Sequence, residues 1–115
     1  PCLGIGVIKR KPDIKWQRKK EDVEEITKIQ KQILNNCSKY LKKGGNIVYS
    51  TCSILCAENE RIIQEFLEKN ENFEIIENTE ICIFPDMEKD GFFICKMHKK
   101  WLILQVYYKH VTFIL

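Results

Sequence analysis

Two cysteines stand where thiol chemistry is possible. Cys52 closes the run Asn46-Ile-Val-Tyr-Ser-Thr-Cys52, a short apolar, β-branched stretch that reads as a buried strand. Ligands of open α/β sheets bind at the carboxyl ends of strands, so a thiol there faces a pocket. A helix beginning just downstream would favour the thiolate, the nucleophilic form of cysteine. Cys2 lies in Pro1-Cys2-Leu3-Gly4, a turn-like sequence expected to follow a preceding strand. Loops at the same edge of a parallel sheet share one cleft, so the two thiols can meet there. For both residues the plain alternative stays open: Cys52 as a buried structural cysteine and Cys2 as a turn residue without chemistry.

The other four cysteines, Cys37, Cys56, Cys82 and Cys95, form no C-x-x-C pair, and His98 and His110 lie far from any cysteine pair. No structural zinc site is expected, and without a secretory signal the thiols read as reduced, in a cytoplasmic protein. No histidine is suitably spaced to serve Cys52 as a base, which discounts an unrelated thiol enzyme. Pro1 is not an initiator residue, so the chain is read as starting inside a longer protein.

Charge adds a second signal. Through Gly45 there are 12 Lys/Arg against 5 Asp/Glu, and afterwards 7 against 11. The basic excess suits a polyanion and the acidic remainder an ordinary solvated surface. Lys9, Arg10, Lys11, Lys15, Arg18, Lys19 and Lys20 surround Trp16 and can contact phosphates, with Trp16 packing or stacking. A solvated loop with Trp16 in the core is the competing reading. A composition of 44% hydrophobic and 30% charged residues excludes a disordered tail, and 115 residues allow one modest domain.

These residues need elements to hold them. Pro12 forbids a long helix through the basic segment. Apolar residues at 23, 26, 29, 33, 34, 37 and 41 predict an amphipathic helix over Asp22–Leu41. Glu21 and Asp22 suit its start, Lys42 and Lys43 its end, and Gly44-Gly45 its stop. A second helix is predicted over Ala57–Asn70, with Asn59 capping or packing at its start. Strands are predicted near Phe73–Glu77 and Gly91–Met97, the latter placing Phe92 and Phe93 in core and sheet contacts, with loop between them. This is the closing half of an α/β sheet. The tail from residue 98 to 115 fits neither pattern; its apolar part, Trp101–Leu115, contains Lys109 and His110 and is too short to span a bilayer comfortably. A strand, a short helix and out-of-frame sequence remain open for it.

PCLGIGVIKRKPDIKW, YSTCS, AENE and DGFF, in this order and spacing, resemble the RsmB/Sun (Fmu) family of RNA 5-methylcytosine methyltransferases over roughly residues 1–97. The resemblance implies the C-terminal half of a class I, Rossmann-like methyltransferase fold, a three-layer αβα sheet without its N-terminal strands. It implies S-adenosylmethionine as methyl donor and RNA as substrate, ribosomal RNA first and transfer RNA second, with no membrane and no metal. It implies that Cys52 attacks carbon 6 of a cytosine drawn out of its stack, and that Cys2 helps remove the carbon 5 proton and release product. Leu3 stands where the family has serine, and Cys56-Ala57 where proline and an acidic residue are usual. The family's glycine-rich cofactor loop, acidic ribose contact and pre-Pro-Cys aspartate would precede Pro1, so no cofactor-binding residue is expected here. The isolated chain is expected to be inactive and poorly stable. The rival reading is a non-catalytic RNA-binding module built on residues 9–20.

Overall fold

A computed structural model describes residues 1–101. The expected tail therefore lies mostly outside the described residues. The elements run α1 (Ile14–Gln17), α2 (Lys20–Tyr40), β1 (Asn46–Thr51), α3 (Glu60–Lys69), β2 (Phe73–Ile75), β3 (Ile81–Ile83) and β4 (Phe92–Lys99), preceded by a single 3-10 turn at Ile5–Val7.

The helix α2 begins where the Asp22 carboxylate accepts the Lys19 N–H at 2.7 Å, and Gly44 closes the exit with φ of 79°. Lys99 reinforces that end, its ammonium donating to the carbonyls of Ser38 and Leu41 at 3.0 and 2.8 Å. Only part of the predicted apolar face is covered. Gln30, Leu34 and Ser38 form the buried line, while Ile29 and Ile33 remain exposed.

β4 is the axis of the sheet, paired antiparallel with β1 along one edge and with β2 and β3 along the other. The parallel arrangement expected around Cys52 does not occur among the described strands: Thr51, the last residue of β1, faces Phe93 near the start of β4. β3 is a second correction. Ile81–Ile83 lies in the segment expected to be loop, yet it pairs Ile81 with Ile94 and Ile83 with Phe92. Three residues are too few for a period-two pattern, and the sheet edge supplies what local sequence does not.

Alternation decides the core. Phe93, Cys95 and Met97 point to the face covered by Leu34 of α2 and Ile62, Ile63 and Phe66 of α3, with Ile47 and Tyr49 of β1 beside them. Phe66 and Phe73 meet edge to face at 5.0 Å between ring centres. Both long helices thus pack on this one face. β1 is half-buried rather than enclosed, since Val48 on the opposite face is 54% exposed. Phe92 and Phe93 likewise divide: Phe93 is core and Phe92 is partly exposed. Among the described residues no helix is long and apolar enough to cross a membrane.

Candidate active site

Cys52 follows the last residue of β1, where the chain turns away from the sheet. The turn is held from inside. Thr51 Oγ1 donates to Asn59 Oδ1 at 2.5 Å, and Asn59 Nδ2 donates to the Ser53 carbonyl at 2.8 Å. Of the two expected roles, capping or packing, Asn59 packs: it stands at the N-cap position of α3 without a side-chain cap bond, wholly buried, and fastens the residues on either side of Cys52. The helix starts at Glu60 rather than Ala57, because the residues before it form turns closed by Glu58 N–H to the Leu55 carbonyl and Asn59 N–H to the Cys56 carbonyl.

The loop bearing Cys2 is brought to the same place by backbone contacts. Gly6 donates its N–H to the Cys52 carbonyl at 2.9 Å, and Gly91 donates to the Gly6 carbonyl at 2.8 Å. A side chain at Gly6 would come within 2.3 Å of the Gly91 oxygen, so the approach requires glycine. Ile14, buried, anchors the following segment beneath Gly4.

The result is direct contact between the two thiols. Cys2 Sγ and Cys52 Sγ lie 2.7 Å apart, 50 residues apart in sequence, with either able to donate the hydrogen bond. Both are half-buried and free. Burial first, then the hydrogen bond with Cys2 and the nearby Glu58 charge, push the Cys52 thiol up to about 11. This corrects the expectation of a helix start lowering it: Asn59, at the head of α3, bonds to the residues on either side of Cys52, yet burial outweighs any such lowering. Burial pushes the core residue Cys95 up to about 11 as well, so contact with Cys2 is what distinguishes Cys52. His98 stands at the other end of β1, where Nδ1 meets Asn46 Oδ1 at 3.0 Å, and offers Cys52 no base.

Two polar residues that sequence reading did not single out, Gln30 and Glu58, are buried beside the thiols. Burial was the missing signal, because both sit among residues typical of solvated helix surface. The half-buried Tyr49 joins them, donating its hydroxyl to the Glu58 carbonyl at 2.5 Å; burial raises its pKa well above the usual tyrosine value.

The basic segment divides into engaged and open side chains. Arg18 Nε donates to the Leu3 carbonyl at 3.2 Å and braces the Cys2 loop. Arg10 pairs with Asp90 at 2.9 Å, and the Lys9 ammonium donates to the Met87 carbonyl. Lys11, Lys15, Lys19 and Lys20 are exposed, as is Trp16 at 82%, which excludes the reading of Trp16 as core. The Lys15 ammonium lies 5.5 Å from the Trp16 ring centre.

The family description "16S rRNA methyltransferase RsmB/F" matches residues 1–98. The chain belongs to the RsmB/F methyltransferase family. Among curated relatives, the ribosomal RNA small subunit methyltransferase B of Proteus mirabilis (strain HI4320) is 43% identical over 100 residues, covering 87% of this chain and 24% of the relative. The probable ribosomal RNA small subunit methyltransferase B of Bacillus subtilis (strain 168) is 37% identical over 116 residues, covering 87% and 26%. The chain thus spans about a quarter of the length of these family members. Of solved structures, NSun6 from Pyrococcus horikoshii with SFG superposes with a TM-score of 0.72 at 27% identity, covering 86% of this chain and 28% of that one. A methyltransferase homolog protein from Pyrococcus horikoshii gives 0.68 at 30% identity, covering 86% and 36%. The α/β fold is therefore that of part of a Rossmann-like methyltransferase.

The described residues do not by themselves fit S-adenosylmethionine. A groove between α2 and β1 is lined by the apolar Ile33, Leu34, Ile47 and Val48, with Gln30 and Thr51 among its polar residues. Gln30 Oε1 is its one buried polar atom left without a partner, too little to hold an adenosine, a ribose and an amino acid end.

Proposed function

We propose that this chain supplies the two thiols of an S-adenosylmethionine-dependent RNA cytosine-5 methyltransferase, with Cys52 as nucleophile and Cys2 as the thiol of product release. The observation supporting it is the 2.7 Å approach of the two sulfurs, in a family member. Carbon 5 of cytosine is a weak nucleophile until a thiolate adds to carbon 6 and drives the electron pair onto it. S-adenosylmethionine then supplies the methyl group. The proton on carbon 5 must leave to a base, the role the resemblance gives Cys2, and the carbon 6–sulfur bond breaks to return Cys52 as thiolate. Because Cys52 rests as a thiol at neutral pH, attack must be accompanied by loss of its proton.

The relatives' names favour ribosomal RNA as substrate, and the family resemblance adds transfer RNA as the second candidate and the cytoplasm as compartment. Lys9, Arg10, Lys11, Lys15 and Arg18 make up the proposed phosphate contacts. The cofactor contacts are proposed to come from the region that relatives carry upstream of the Pro-Cys motif. The test joins that region of a relative to Pro1 and offers RNA containing 5-fluorocytosine, whose fluorine cannot leave as the proton does. A covalent RNA–protein adduct is expected, absent in Cys52→Ala.

A second reading, a non-catalytic RNA-binding module, draws on the exposed Trp16 beside Lys15. RNA retention without an adduct, indifferent to substitution of either cysteine, would replace the first reading by this one.

A further inference from the structure

We propose that Glu58 is the positioning residue of the cysteine pair, one carboxylate tying the residue after Cys2 to the residue after Cys52 and so setting the separation of the two thiols. Glu58 is fully buried. Its Oε1 accepts the Leu3 N–H at 2.9 Å, and its Oε2 accepts the Ser53 hydroxyl. Leu3 follows Cys2 and Ser53 follows Cys52, so the clamp grips both loops next to the reactive atoms. Gln30 completes it, donating to Glu58 Oε1 at 3.0 Å and to the Pro1 carbonyl at 2.9 Å. Cys2 is thereby held on both sides, through Pro1 and through Leu3.

The donor pattern selects a carboxylate. Leu3 N–H and the Gln30 amide can only donate at these contacts. The Ser53 hydroxyl oxygen accepts the Leu55 N–H at 3.2 Å, leaving its one hydrogen for Glu58. A glutamine at 58 would turn an NH2 group toward one of these donors. A buried carboxylate is costly unless its hydrogen bonds are complete, and here all come from the elements that must be held together. The charge does not activate Cys52, since it opposes thiolate formation. What Glu58 contributes is geometry.

The proposal deepens the reading of Cys2 and Cys52 as methyltransferase thiols, but its test needs no RNA. The 115-residue chain is equilibrated with oxidised and reduced glutathione: two thiols and one glutathione disulfide give the Cys2–Cys52 disulfide and two glutathione thiols. The disulfide, mapped by mass spectrometry, measures how firmly the sulfurs are held together. Glu58→Ala should lower the equilibrium constant by about tenfold or more, and Glu58→Gln and Ser53→Ala by smaller factors. Phe73→Leu, which loosens the core at β2 far from the thiols, should leave it unchanged while lowering thermal stability. An unchanged constant in Glu58→Ala would overturn the proposal, as would an equal fall in Phe73→Leu, which would mark general loosening. Absence of the 5-fluorocytosine adduct would strike only the functional reading and leave this result standing.

Discussion

Gly6 donates its backbone N–H to the carbonyl of Cys52 itself, at 2.9 Å. The loop that carries one thiol is therefore bonded to the residue that carries the other, through backbone atoms that only a proline at position 6 would remove. What any other substitution can change is how closely the two backbones approach.

Gly6→Ala tests that approach. Its new methyl would meet backbone oxygens of Gly91 and Cys52 at 2.3 and 2.8 Å, neither of which can rotate aside. Separation of the loops should cost about 1–3 kcal/mol, seen as a lower urea midpoint. The Cys2–Cys52 disulfide should also form less readily. Unchanged values for both would mean that the stitch is not needed.

The thiol pair makes a pH prediction. With Cys52 raised from the usual 9.0 to about 11, the folded chain holds a proton that the unfolded chain releases between those values. That contribution to stability is fully present below pH 9 and is lost as pH rises toward 11. Alkylation of Cys52 by iodoacetamide, followed by peptide mapping, should climb with pH mostly above 9 in the folded chain. In urea the climb should come earlier.

Core and surface aromatics should separate cleanly. Phe93 is wholly buried between β1 and α3, so Phe93→Ala should cost about 3–5 kcal/mol by denaturant titration. Phe84, 66% exposed, should change stability by no more than about 0.5 kcal/mol on the same substitution.

The basic segment should respond unevenly. Lys11→Gln and Lys15→Gln should weaken RNA binding, each lowering the slope of log affinity against log salt by about 0.7 if it meets a single-strand phosphate. Arg18→Gln should do more than remove charge, because Arg18 also holds the Leu3 carbonyl. It should loosen the Cys2–Cys52 pair in the glutathione assay, where Lys11→Gln leaves it unchanged.

The sequence by itself determined the parts that depend on neighbours along the chain. The three-and-four spacing from Val23 to Leu41 marks α2, the β-branched run before Cys52 marks β1, and the Pro-Cys and Thr-Cys motifs in fixed order mark the family. Helix periodicity, strand propensity and short motifs are local properties, so they are legible in one dimension. The tertiary structure decided what depends on residues far apart. It set β4 antiparallel to all its partners, found a strand in Ile81–Ile83, turned Asn59 inward and assigned Arg18 to the Leu3 carbonyl. It also brought the two sulfurs together over 50 positions of sequence, with Glu58 buried between their loops. Those outcomes follow from sheet register, close glycine packing and the need to satisfy buried polar groups, and each of these exists only once the chain has closed on itself.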